Sequence, residues 1–467
     1  MNRSLESIAR TSSMLGVLAL TTPLAVAQNA PSQDAAKELQ ELRQRMEQLE
    51  TQLAAQKQAV PASAPAPQSA PVAAAKEEPS PAWKDLISAG NRFKVYGFAR
   101  LDIQRDDSRP NNTQTIGWIL SEDPTAPAAG PVGAGGSNKS DLTMHPRLSR
   151  LGFDFDGGSV ESLGNAKVTG KIEVDFFNNG LAGQSESRSA LRMRHAWLRM
   201  AWDRVSLLAG QSNDIISPLF PIVNSDLVMW GAGNLGDRRP QLRFEYAPPA
   251  SETGFIAQAE IGLSGADDNA DLDTAGTYGA GFRDGETSDK PTLQARVANR
   301  FELGKGKAEV GVWAHRAWEH PDTSFAGENR FDSEAYGLDV NLPVYEDIVG
   351  FKAEWWTGKN VDDVRGGIFQ GINRTTGDEI AAKGGFAELS YKVSDHLTSY
   401  VGFSNDNPDN ADVGAQGRAE NVIKYAALRW NYKPLSFGLE YLDWTTKYVG
   451  LTDGDDNRVA GFLQYSF

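Results

Sequence analysis

From Phe93 onward the chain alternates apolar and polar residues over stretches of about ten, the period of a strand with two unlike faces. In 93–104, Phe93, Val95, Gly97, Ala99, Leu101 and Ile103 share one face, and Lys94, Tyr96, Phe98, Arg100, Asp102 and Gln104 the other. The same dyad recurs around Val168–Phe176, Gln241–Tyr246 and Leu293–Arg300. Sixteen such stretches can be marked, the first eight at 93–104, 147–156, 165–178, 190–202, 204–211, 240–247, 254–263 and 291–301. The second eight fall at 307–318, 333–342, 347–358, 381–392, 395–405, 420–432, 434–446 and 456–467.

The connections sort by parity. Odd ones are long: 105–146, 179–189, 212–239, 264–290, 319–332, 359–380, 406–419 and 447–455. Even ones are short, down to Asp203 or Lys433 alone. A soluble β-sandwich has no reason to sort its loops this way. Outer-membrane barrels do, with an even strand count, short periplasmic turns and long external loops. The reading is therefore all-β, a 16-stranded antiparallel transmembrane β-barrel over 93–467, with both ends in the periplasm. In lipid every backbone group must be paired, so strands cross only as a closed barrel. Trp202, Tyr246, Trp318, Trp355, Tyr391, Trp430, Tyr432 and Tyr465, near strand ends, suit the aromatic girdles at the two interfaces.

Three segments precede the barrel. Residues 1–27 read as a secretory signal peptide: Arg3 and Arg10, an apolar run Leu15–Leu20, then Ala25-Val26-Ala27 as the cleavage pattern. That run is too short to span about 30 Å of hydrocarbon as a helix. Residues 28–57 carry Ala35, Leu39, Leu42, Met46, Leu49 and Leu53 at spacings of 4, 3, 4, 3 and 4, a heptad seam. We read it as an N-terminal periplasmic coiled-coil helix; the alternative is one amphipathic helix on a surface. Residues 58–92 are rich in Ala and Pro and form a semi-rigid linker.

Composition narrows the function. The chain has 467 residues, no Cys and a formal net charge of −15. The acidic balance argues against nucleic acid, whose partners are basic. Five histidines, at 145, 195, 315, 320 and 396, form no HExxH pair. No metal, cofactor or catalytic residue is expected, and Asp453–Asn457 lacks the spacing of a calcium loop. Paired acids at Asp106-Asp107, Asp267-Asp268, Asp362-Asp363 and Asp455-Asp456 read as a solvated external face.

A sixteen-stranded barrel leaves an aqueous channel, whose lumen charges and radius set selectivity. The third long connection holds Ile215-Ile216 and Pro218–Val223, too apolar for an exposed tip. It is expected to fold into the channel as a constriction, with Asp214, Phe220, Asp226, Asp237, Arg238 and Arg239 at the narrows. The alternative is a latch onto a neighbouring subunit. By parity Arg100, Arg150, Lys171, Arg243, Arg296 and Arg300 face the lumen as anion-binding candidates, and Arg199 joins them provisionally. Strand 190–202 conflicts with itself: Arg192 and Arg194 share parity with Leu198, while Arg199 shares it with His195. Either a bulge or a subunit contact resolves this. Neighbouring acids Asp102, Asp154, Glu173, Asp175 and Glu245 are placed to pair with about half of these cations, bracing the wall.

The last strand ends on Phe467, like the carboxyl-terminal signature of outer-membrane barrels. The runs Arg147–Phe155, Lys171–Phe177, Leu191–Leu198 and Gly210-Gln211-Ser212 resemble the DcaP-like porin family. The resemblance implies a homotrimer with a periplasmic coiled coil, in contact with outer-membrane lipid and lipopolysaccharide. It also implies passive uptake of small hydrophilic solutes, anionic ones such as dicarboxylic acids. A structural role, tethering the membrane to the cell wall through the stalk, is the competing function; an outer-membrane hydrolase lacks any supporting motif.

Overall fold

The computed structural model describes residues 93–113, 115–126, 139–177, 188–223, 227–265, 284–321 and 324–467. The expected signal peptide, coiled coil and linker lie outside the described residues, as does Asp226. Among the described residues there are nineteen strands. In the first half they are β1 (Phe93–Asp106), β2 (Asp141–His145), β3 (Arg150–Val160), β4 (Ala166–Phe177), β5 (Ala190–Ala201), β6 (Val205–Asn213), β7 (Arg238–Tyr246), β8 (Gly254–Gly262) and β9 (Thr292–Leu303). Then follow β10 (Gly306–Glu319), β11 (Phe331–Tyr345), β12 (Val349–Lys359), β13 (Ile372–Asn373), β14 (Asp378–Glu379), β15 (Ala381–Lys392), β16 (Leu397–Pro408), β17 (Arg418–Tyr432), β18 (Leu435–Tyr448) and β19 (Leu451–Ser466).

All but the β13–β14 hairpin join one antiparallel sheet that closes where β1 pairs β19. β2 and β3 both pair β1, one above the other, so they form a single wall strand interrupted at 146–149. Pro146 explains the interruption, because it supplies no N–H to a ladder. The wall therefore has sixteen positions, as the alternation and loop parity predict. Several boundaries differ: β7 begins at Arg238, so Arg238 and Arg239 stand on the wall rather than in the third loop, and two other differences are larger. Asp141–His145 is strand, not loop. The expected eighth loop, 447–455, shrinks to Val449-Gly450, with Leu451–Asp455 continuing the ladder opposite Thr445–Tyr448.

The outer face is an apolar belt. Leu242, Phe255, Ile261, Val312 and Val401 are each more than half exposed. Packed laterally into sixteen strands, such side chains suit lipid and not water. The same strands turn charge inward: Asp102, Arg239, Glu260, Arg296, Asp339, Glu354 and Glu388 are all buried. Gly210, at φ +128°, sits opposite Trp197, where a Cβ would meet the Ala196 carbonyl at 2.2 Å. Only glycine lets the neighbouring backbone come that close.

Among the described residues, parts of three long connections turn into the barrel: L1 (107–113 and 115–126), L3 (214–223 and 227–237) and L6 (360–380). Ile116 and Ile119 of L1 pack with Val223, Met229 and Ala232 of L3 against Ile423, Tyr425, Leu442 and Trp444 on β17 and β18. Ile216 and Leu235 of L3 pack with Val361 and Val364 of L6 against Trp313, Ala335, Trp356 and Ala382. The apolar run of L3 is thus buried inside its own barrel rather than against a neighbour. The paired acids correct the sequence reading in part: Asp106, Asp362, Asp363 and Asp456 are buried, Asp107 and Asp455 are exposed as expected, and Asp267-Asp268 lies outside the described residues. Interior arginines hold two of them, Arg458 reaching Asp106 at 2.6 Å and Arg239 reaching Asp363 at 3.3 Å.

Candidate functional site: the arginine wall and the inward loop

L3 is tied across the lumen by acids of the far wall. Glu354 on β12 accepts from the Ser217 hydroxyl and from the Leu219 amide at 2.7 Å. Glu388 on β15 accepts from the Ile222 amide at 2.7 Å. Lys352 donates to the Phe220 carbonyl at 2.5 Å, and Arg429 to the Ile222 carbonyl at 2.8 Å. Further round, Trp356 and Asn421 donate to the carbonyls of Gly233 and Gly231 at 2.8 and 2.7 Å. These bonds give a non-regular backbone the partners it needs away from water.

The stem of L3 is locked by Arg239, whose side chain is fully buried. It forks onto Asp214 at 2.8 and 3.1 Å and reaches Asp363 of L6 and Thr292 of β9. Asp237 pairs with Arg365 at 3.0 Å. Of the expected constriction residues, Asp214, Asp237 and Arg239 therefore form this clamp. Phe220 and Arg238 reach the open lumen.

A cavity of about 220 Å³ lies between L3 and the opposite wall, bounded by Phe220, Val223 and Val228 on one side and Arg100, Arg150, Arg194 and Arg238 on the other. Arg192 stands beside Arg194 on the same strand. These cations share few acids: Arg100 pairs Asp102 at 2.9 Å, Arg150 pairs Glu173 at 3.3 Å, and Arg192 pairs Asp175 at 2.8 Å. Arg194 bridges Glu173 and Asp175, both at 2.9 Å. The Arg238 guanidinium lies 5.3 Å over the Trp230 ring. Aromatic faces steady the others, Arg100 lying 3.8 Å over Phe462 and Arg150 lying 5.2 Å over Phe98.

The parity conflict in β5 is resolved by a bulge. His195 opposes Glu173 and Met193 opposes Val174, leaving Arg194 as the extra residue. Before it, Arg192 and Arg194 face inward while Leu191 and Met193 are exposed; after it, Arg199 is inward and Leu198 is exposed. One inserted residue thus turns both arginine sets to the lumen.

The remaining sequence candidates lie elsewhere on the inner wall. Lys171 pairs Asp154 at 2.9 Å and donates to Tyr96 at 2.6 Å. Arg243 reaches Glu260 at 3.4 Å and the Asn213 carbonyl. Arg199, Arg296 and Arg300 line a different space near the short turns. All seven have a carboxylate partner, more than the half expected. Arg192 and Arg194 were ambiguous by parity, while Glu354 and Glu388 were overlooked as ordinary wall acids. Their signal was an inward acid opposite an apolar loop rich in backbone amides.

No family model and no curated relative matches this sequence. Solved structures do. The chain is similar to the outer-membrane channel DcaP of Acinetobacter baumannii, with a TM-score of 0.60 at 18% identity over 80% of this chain and 97% of that one. The fold is a porin fold. It is also similar to an anion-selective porin from Comamonas acidovorans (TM-score 0.51, 12% identity, 80% and 99% covered) and to Pseudomonas putida OprB (TM-score 0.50, 10% identity, 82% and 96% covered). The DcaP likeness agrees with the resemblance read from Arg147–Ser212.

Proposed function

We propose that this protein is an outer-membrane porin passing small hydrophilic solutes by passive diffusion, with a preference for anions such as dicarboxylates. The observation carrying the reading is the cavity between L3 and the wall of Arg100, Arg150, Arg194 and Arg238. In a narrow lumen with low-dielectric walls, a cluster of one sign raises the local concentration of the opposite ion. Arginine forks pair carboxylates bidentately. The porin from Comamonas acidovorans, similar in fold, is described as anion-selective, which is in keeping with this reading.

In this proposal the chain is exported by its signal peptide and assembles as a homotrimer among lipid and lipopolysaccharide. Its short turns and heptad stalk lie in the periplasm. Purified protein in planar bilayers should give discrete open-channel steps, and its reversal potential in a salt gradient should take the sign of chloride. A silent membrane, or a cation-selective channel, overturns the reading.

A further inference from the structure

We propose a second carboxylate station at the short-turn end of the lumen, centred on Arg199, for solutes that join a carboxylate to a short apolar body. The station deepens the anion-porin reading and rests on it. It is a separate cavity of about 410 Å³, sharing no lining residue with the one under L3. Its position follows from the turns at Trp202–Arg204 and Ala247–Ala250, which line it from below.

A count of donors and acceptors picks out the ligand's chemistry. Of the three acids lining the cavity, Asp203 is exposed on the turn, 3.7 Å from Arg204, and the two on the strands are engaged. Glu309 takes Arg296 at 2.8 Å on one oxygen and Arg300 at 3.1 and 3.2 Å on the other. Glu245 accepts 2.6 Å from the Gln258 amide. Arg296 is nearly buried and also forks onto Asp339, so it has little left to give. Arg199 is the exception. Its side chain is 38% exposed and makes one loose contact, Nη2 to Glu245 at 3.4 Å. The Nε and Nη1 groups have no hydrogen-bond partner among the described residues. A strand wall whose acids are engaged and whose Arg199 keeps spare guanidinium donors favours an anion over a cation.

Part of the remaining lining is apolar: Trp202, Pro248 and Pro249 at the turns and the buried Ile256 from β8, beside the polar Asp203, Arg204 and Gln258. A carboxylate on the Arg199 fork would carry a body of a few carbons against these side chains, removing apolar surface from water. The bulge at Arg194–His195 is what makes this possible. Without it Arg199 would point to lipid, where a charge is costly. One irregularity therefore serves two points along the same path, Arg194 under L3 and Arg199 at the periplasmic end.

The test uses full-length protein inserted in one orientation in a planar bilayer, with chloride carrying the current and sodium butyrate added on the periplasmic side. Butyrate should block the current, and Arg199→Gln should weaken the block roughly tenfold, the loss expected for one charge-assisted pair. Arg199→Lys, which keeps the charge without the fork, should recover part of it. Butylammonium should not block. Unchanged block in Arg199→Gln, or equal block by butylammonium, overturns the station and leaves a solvated arginine only. A cation-selective wild type instead overturns the porin reading itself; an anion-selective wild type indifferent to Arg199 sinks the station alone.

Discussion

Along β12 and β15–β18 the inside of the wall behaves like the core of a soluble domain, whereas along β1 and β3–β7 it behaves like a wet, charged surface. In the first sector Trp356, Ile423 and Trp444 are fully buried beneath L1, L3 and L6. In the second, Arg150, Arg192 and Arg194 keep 25%, 20% and 14% of their side-chain surface exposed. The loops thus fill one half of a cylinder that strand number alone would leave open. The half left empty is lined by arginine. The filled half also holds strain: Val228, Met229, Ile368 and Phe369 all take φ near +50 to +64°. Such conformations cost roughly 1–3 kcal/mol each and persist only where packing over-determines them.

The sharpest way to break this contrast is to empty the filled half. Arg239→Ala removes the guanidinium that holds both Asp214 and Asp363, leaving Asp214 buried without that ion pair and Asp363 with His315 at 3.5 Å. A loss of about 3–5 kcal/mol is expected, read from denaturant unfolding in detergent. Conductance should rise and grow noisier as L3 and L6 come loose together. Unfolding at wild-type denaturant with wild-type conductance would mean the clamp is incidental. Glu354→Ala is the milder version, stranding the Leu219 amide and leaving the Ser217 hydroxyl to Asn234, at a cost of about 1–3 kcal/mol. Here conductance should rise with the stem of L3 still locked.

The wall was legible in the sequence because lipid enforces a period of two over every strand. Legibility failed where lipid ends. Leu451–Asp455 reads as a loop from its Asp and Gly content, yet it is strand. Beyond the apolar belt both faces are polar, so alternation vanishes while the ladder continues. Inward folding of L3 was readable from Ile215–Val223, whose apolarity has no place in solvent. L6 was not, since its acids looked like solvated ones; Asp363 is buried only because Arg239 from another loop stem reaches it. For the candidate site, parity put Arg100 and Arg150 on the right face. It could not decide β5, because a bulge changes parity without leaving any trace in composition.

The wet half should respond in the opposite way, in selectivity more than in stability. Arg194→Ala leaves Asp175 with Arg192 and Glu173 with Arg150, so no carboxylate is abandoned. About 1 kcal/mol is expected from unfolding, the net value of a typical hydrogen bond. The reversal potential should move clearly toward zero, because the same acids then face one cation fewer. A stability loss matching that of Arg239→Ala would mean that the two halves are not different in kind.

The smallest effect is expected at the rim, where L1 leaves the filled half. Its inner end is held by Ile119, whose amide donates to Thr446 at 2.8 Å and whose carbonyl accepts from Tyr448 at 2.6 Å. Its outer end is held by Asp123, which accepts from the Thr125 hydroxyl and amide at 2.6 and 2.8 Å and from the Thr452 amide at 3.2 Å. Those bonds, the Thr125 side chain first, hold the Asp123 carboxyl below its ordinary value of 3.8. A depressed carboxyl stabilises the fold fully above the unfolded value and loses that contribution as pH falls through the folded one. Asp123→Asn should therefore lower hydrogen-exchange protection of the Thr125 and Thr452 amides near neutral pH. The difference from wild type should fade only as pH falls through that depressed folded value, where the wild-type carboxyl also becomes neutral. Protection of the Ile119 amide should not follow it, since its partner is a hydroxyl with nothing to titrate. If Ile119 opened together with Asp123, L1 would move as one piece, and the boundary between dry interior and wet rim would have to be drawn further in.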